Sequence, residues 1–120
     1  MHYQTKFKFE RLHIWQDAME LGEKITNHAD SFPRKELYNL SSQICRAIDS
    51  VALNISEGSI IQSIPEFRRF LGYAVRSLAE VVTCLHKAKN RNYISTDIFD
   101  GLYLDCYKLM NMIIAFRTKL

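Results

Sequence analysis

Residues Leu40 to Gly58, LSSQICRAIDSVALNISEG, carry two stripes on what reads as a single helix. At ~100° per residue, Leu40, Ile44, Ala47, Ile48, Val51 and Ile55 gather on one face. Gln43, Arg46, Ser50, Asn54 and Glu57 line up on the neighbouring face. The apolar stripe builds a core. The polar stripe is more than a plain core helix needs, and it has to meet a partner, water or a ligand.

Working outward from this helix, the punctuation of the chain divides it into four helical segments and leaves no strand. Leu12, Trp15, Ala18, Met19 and Ile25 repeat at helical spacing until Ser31-Phe32-Pro33, where proline fixes φ and disfavours helix in the residue before it. The first helix should therefore end near Asp30. The second is expected from about Lys35 to Glu57, with Gly58 closing it in a left-handed conformation ahead of the connection SIIQSI. Ser63 is placed to cap a third helix, with Pro65 tolerated in its first turn. Phe67, Phe70, Leu71, Ala74, Leu78, Val81, Val82 and Leu85 form its apolar stripe, which fades around Asn90 to Asn92. Ser95 opens the fourth helix. Asp97 and Asp100 favour its positive end, and Arg117 and Lys119 its negative end.

Four helices of ~20 residues joined by short connections fit an all-α, antiparallel up-and-down four-helix bundle, one domain over residues 1–120. The fourth helix is apolar over more of its circumference than one core face uses. Leu102, Leu109, Ile113 and Phe116 take one side, while Tyr103, Cys106, Met110 and Ile114 extend around it. A surplus apolar face of this kind points to self-association, the alternative being a wide core stripe. Leu12, Trp15, Met19 and Phe32 are expected to pack together against the bundle, with the Trp15 indole N–H at an edge.

Composition narrows the function classes. A chain of 120 residues with 48% hydrophobic and 24% charged content can bury a core without metals or disulfides. Sixteen basic against 13 acidic residues permits a polyanionic partner without demanding one. Cys45, Cys84 and Cys106 are far apart, with no paired spacing, which fits a reducing cytoplasm. The start, MHYQTKFKFERLHIW, has no signal-peptide pattern and no stretch reaches membrane-spanning length, so a cytoplasmic protein without a membrane is expected. The acceptor pattern Asn54-Ile55-Ser56 sits inside a helix and is discounted.

Catalytic chemistry finds little to work with. A di-iron bundle needs a Glu-x-x-His pair on each of two helices plus further carboxylates, and Glu10-Arg11-Leu12-His13 occurs once. His2, His13, His28 and His86 share no ligand spacing. No nucleophile elbow and no phosphate-cradling glycine loop is present. Neither an enzyme, a metal nor a cofactor is expected.

The third helix carries a polar stripe parallel to that of the second: Arg69, Tyr73, Arg76, Glu80, Thr83 and Lys87. Guanidinium groups bond phosphate oxygens in a bidentate way, and tyrosine stacks on an unpaired base. Arg46, Arg69, Tyr73, Arg76 and Lys87 are therefore the candidate nucleic-acid contacts. The alternative is structural: Arg46 or Arg76 pairs with Glu57 or Glu80, and Gln43 and Asn54 satisfy helix ends or subunit contacts.

The order of signals FERLHIWQDAMEL, SFPRKELYNLSSQICRA, NISEGS and EFRRFLGYAVRSLAEV resembles the four-helix-bundle proteins encoded in intervening sequences of bacterial large-subunit ribosomal RNA genes, over nearly the whole chain. NISEG, close to the family's NIAEG, is the most specific piece. That family includes the accessory variability determinant proteins of diversity-generating retroelements, which assist a reverse transcriptase. The resemblance implies a homopentameric, barrel-like assembly with a basic surface for nucleic acid. Two departures bear on this. Relatives commonly read QIRRA where this chain has Gln43-Ile44-Cys45-Arg46-Ala47, and they often carry glycine where it has Arg76. One basic residue is lost and another gained on a different helix. The expectation is a non-catalytic homo-oligomer that binds RNA or DNA without sequence readout, Arg69, Arg76 and Lys87 contributing more than Arg46. A scaffold that docks a protein such as a reverse transcriptase is the rival.

Overall fold

The computed structural model describes residues 4–60 and 63–120. Four helices follow in order: α1 His13–Ala29, α2 Leu40–Ile60, α3 Ile64–Asn90 and α4 Thr96–Thr118. No strand occurs among the described residues. At 1.5 Å per residue the 27-residue α3 is about 40 Å long, which matches the 43 Å long dimension of the molecule. Consecutive helices pack as neighbours. The α2–α3 pairing is the most extensive, α1–α2 and α3–α4 are similar to each other, and the α1–α4 seam is the smallest. This is the expected up-and-down four-helix bundle.

The apolar stripes meet in one core. Ile44, Ile48, Val51 and Ile55 of α2 are almost wholly inaccessible, as are Leu71, Leu78, Val81 and Leu85 of α3 and Ile113 of α4. Burying each such side chain contributes roughly 1.5–3 kcal/mol. Two starts match the capping reading. The Ser63 hydroxyl accepts from the Glu66 N–H at 3.4 Å, and that of Ser95 from the Ile98 N–H at 3.1 Å.

Three expectations need correction. α2 begins at Leu40, not near Lys35, because Arg34–Glu36 form a 3-10 turn and the Glu36 carboxylate caps the Leu40 N–H at 3.4 Å. α2 also runs through Gly58 to Ile60, and no described glycine has positive φ. Gly58 is instead a contact residue. A Cβ there would lie 2.7 Å from Phe70 Cβ and 3.0 Å from Phe67 Cδ1, so its missing side chain lets α2 and α3 approach. Ser59 and Ile60 thus belong to α2 and Ile64 to α3, while Ile61 and Gln62 of the expected connection lie outside the described residues. Lastly, Trp15 and Phe32 do not pack together. The 17 residues of α1 hold them at opposite ends, where Trp15 meets Phe9 edge-on at 5.2 Å and Phe32 meets Tyr93 at 5.4 Å.

Opposite the α2–α3 connection, one carboxylate ties the two remaining connections together. Glu36, 5% exposed, accepts from Tyr93 Oη at 2.6 Å, Arg91 Nη1 at 3.1 Å and Asn39 Nδ2 at 2.9 Å. α3 ends in a Schellman turn that aims these donors. The Tyr93 N–H bonds Ala88 O at 2.9 Å and the Asn92 N–H bonds Lys89 O at 3.0 Å, with Asn92 at φ 62°. Asparagine is among the residues that tolerate this left-handed position. At the other end Arg117 Nε donates to Arg68 O at 2.8 Å and joins α4 to α3.

Candidate nucleic-acid interface

The two polar stripes adjoin along the outer α2–α3 seam. The Ser77 hydroxyl donates to the Ser50 hydroxyl at 2.9 Å, and Asn54 Nδ2 donates to Ser50 O at 2.8 Å and Ser50 Oγ at 2.9 Å. Of the residues read as a polar network, Asn54 is thus held in one that crosses to α3. Gln43 is half-buried and Glu57 and Glu80 are exposed, and none of the three makes a side-chain hydrogen bond among the described residues. No ion pair joins Arg46 or Arg76 to Glu57 or Glu80 among those residues.

The basic candidates fall into two groups. Arg46, Arg76 and Lys87 are exposed, without a carboxylate within ion-pair distance among the described residues. Arg69 is engaged on its own helix: Nη2 stands 3.5 Å from Glu66 Oε2, and the guanidinium lies 5.7 Å from the Tyr73 ring centre. Both charges are exposed, so this pair is worth at most about 1 kcal/mol and a phosphate can compete for Arg69. Tyr73 is half-buried and edge-on to Phe70 at 5.7 Å, which leaves little ring face for a base. Other arginines are committed elsewhere: Arg91 to Glu36, Arg68 to Leu120 O at 3.3 Å, and Arg117 to Arg68 O.

Sequence reasoning missed Glu36, the buried charge on which one end of the fold is built. Its carboxyl lies below the ordinary 4.5, chiefly through the Tyr93 hydroxyl bond, with burial opposing and Asn39, the Leu40 amide and Arg91 assisting. The Tyr93 phenol is correspondingly raised above 10, first by its bond to Glu36 and then by burial. The available signal was the acid inside RKELYN, three residues after a proline and four before the apolar stripe of α2. Its partner Arg91 is 55 residues away, which local spacing cannot reveal.

Burial raises all three thiols, that of Cys106 to about 12, so thiolate chemistry near neutral pH is disfavoured. Cys106, read as part of the surplus face of α4, is wholly buried. The rest of that face is open. Tyr103, Tyr107 and Ile114 are exposed, and a groove of about 260 Å³ between α3 and α4 is lined by Ala79, Val82, Tyr103, Tyr107 and Met110. A second apolar groove of about 400 Å³ lies between α1 and α2, where Trp15, Met19, Ile48 and Leu53 meet Glu23 and Asp49. In a square bundle these two helix pairs are opposite edges, so the grooves face away from each other. Among the described residues no group of three His, Cys, Asp or Glu could hold a metal, and no helix is long and apolar enough to cross a membrane.

A helical bundle whose α2–α3 seam exposes Arg46, Arg76 and Lys87 without ion-pair partners among the described residues, with two outward apolar grooves, is the class of protein that fold and surface define. The particular family follows from comparison. A family model for the 23S rRNA-intervening sequence protein matches residues 10–115, and the chain belongs to that family. Among solved structures it is similar to a protein of unknown function from the S23 ribosomal protein family of Bacteroides thetaiotaomicron. The TM-score is 0.80 at 21% identity, over 87% of this chain and 97% of that one, which shows a shared fold. No curated protein matches the chain.

Proposed function

We propose that this chain is a non-catalytic, homo-oligomeric bundle of the cytoplasm that holds RNA or DNA through phosphate contacts along the α2–α3 seam. The observation that carries this reading is the exposure of Arg46, Arg76 and Lys87 along the α2–α3 side without carboxylate partners among the described residues, while Arg68, Arg91 and Arg117 are bound within the fold. Phosphate contacts release counterions, so affinity should fall steeply with salt. Replacing two contacts, Arg46→Gln with Arg76→Gln, is expected to reduce the slope of log affinity against log salt by about 1.8 on a duplex. A titration at several salt concentrations measures it. An unchanged slope, or affinity indifferent to salt, contradicts the mechanism.

The apolar grooves support the oligomer. A ring with an odd number of subunits, such as the pentamer expected from resemblance, uses heterologous contacts, in which one patch of each copy meets a different patch of the next. Two unlike apolar grooves on opposite sides supply such a pair. Tyr107→Asp combined with Ile114→Asp alters side chains that are 58% and 45% exposed in the single chain and should leave its fold intact. Sedimentation is expected to show the wild type as an oligomer and this variant as a monomer. A wild-type monomer would favour the rival reading, in which the grooves dock a different protein such as a reverse transcriptase.

A further inference from the structure

The seam leads to an aromatic residue in an unusual setting. Tyr38 is 92% exposed, far more than any other large apolar or aromatic residue among those described. Its backbone is nonetheless fixed on both sides. The Asn39 N–H bonds Glu36 O at 2.9 Å, Asn39 Nδ2 bonds the Glu36 carboxylate at 2.9 Å, and Glu36 itself is clasped by Arg91 and Tyr93. The ring is therefore presented to solvent from a pinned turn.

The charges around it follow from the helix register. Antiparallel pairing that sets Ser50 beside Ser77 and Glu36 beside Arg91 puts Lys87 level with Leu40, two residues from Tyr38. Arg34 and Lys35, both exposed, lie on the same connection. Asp30 and Asp97 are the exposed carboxylates nearest this end in sequence, Glu80 stands on the α3 stripe between Arg76 and Lys87, and the Glu36 charge is turned inward. Lys89 is committed over the Phe99 ring at 4.6 Å, which leaves Arg34, Lys35 and Lys87 for phosphates. In this register Arg76, Arg46 and Lys87 step along the seam toward the end of the bundle at which Tyr38 stands. Tyr73, with its ring against Phe70 and Arg69, cannot offer a comparable face.

We infer that Tyr38 is a base-stacking platform at this end of the seam and that the ligand is single-stranded nucleic acid. The inference rests on the seam reading and narrows its ligand, because a base paired within a duplex has no free face for the ring whereas an unpaired base does. Because the turn beneath it is already fixed, only the side-chain rotations of Tyr38 are lost when a base settles on the ring.

The test uses the full-length protein and a short RNA carrying one 2-aminopurine, offered single-stranded and as a duplex. The wild type is expected to bind the strand more tightly than the duplex and to quench the 2-aminopurine. Tyr38→Ala should lose strand affinity roughly 5- to 150-fold together with the quench, with duplex affinity unchanged. Tyr38→Phe should restore both. If Tyr38→Ala binds and quenches like the wild type while Arg46→Gln with Arg76→Gln still flattens the salt dependence, the platform is wrong and the seam stands. If the wild type binds neither form, both fall together.

Discussion

Gly58→Ala is expected to destabilise the protein, although alanine is the better helix former by about 1 kcal/mol. The new methyl would stand 2.7 Å from Phe70 Cβ, an atom fixed to the α3 backbone, and 3.0 Å from Phe67 Cδ1. Relief requires α2 and α3 to separate, and theirs is the most extensive packing in the fold. Overpacking of this kind costs about 1–3 kcal/mol, in tight sites more. The net loss should be roughly 1–2 kcal/mol and lower Tm by about 5 °C. Gly58→Asn separates the two roles of this glycine. A left-handed helix cap accepts asparagine readily, whereas a close helix contact rejects it more strongly than alanine. Gly22→Ala is the control, since its Cβ would meet only Ile48 Cγ1 at 3.9 Å, and it should be neutral or stabilising. Thermal denaturation of the three variants decides the point, and a stabilised Gly58→Ala would contradict the account.

Glu36→Gln should be comparably damaging because four donors converge on a carboxylate that an amide cannot replace. The NH₂ group of glutamine would turn a donor toward the hydroxyl of Tyr93 or the guanidinium of Arg91. A fall in Tm of roughly 5–10 °C is expected. The pH dependence has a definite sign. The folded-state carboxyl is lowered from 4.5, so the folded protein binds fewer protons than the unfolded chain in that region. Its stabilisation is complete above 4.5 and is lost as pH falls through the depressed value. The Tyr93 phenol is raised from 10, so its contribution holds below 10 and is lost as pH rises through the raised value. The wild-type advantage over Glu36→Gln should therefore be flat between these limits and shrink on the acid side. An advantage that persists unchanged into strong acid would show that the clasp does not depend on the charge.

Much of the fold was legible because it is written in local periodicity. Every residue of the α2 stripe is buried and so are six of the eight on α3, Phe70 and Val82 being half-buried, while Ala52, Gly58, Cys84 and Ala88 join the core unannounced; Ser63 and Ser95 announce their helices by position. What stayed hidden depends on partners distant in sequence. Gly58 reads as a stop because glycine after a helical stripe usually is one, and only the nearness of Phe70 on α3 gives it another purpose. Glu36 reads as one charge among RKEL until Arg91 and Tyr93 arrive from the next connection. Phe32 is likewise claimed by Tyr93 rather than by Trp15. The seam was visible as two polar stripes, whose shared edge required the Ser50–Ser77 register. Tyr38 falls outside both stripes, and its exposure is a property of the folded turn alone.

The most direct test of the central claim is sedimentation of the purified protein, alone and with a short labelled RNA, at low and at physiological salt. An oligomer that carries the RNA with it at low salt and releases it as salt rises is the predicted result, with the Arg46→Gln, Arg76→Gln variant still oligomeric but binding weakly. An oligomer that sediments without RNA at every salt concentration would contradict the electrostatic seam.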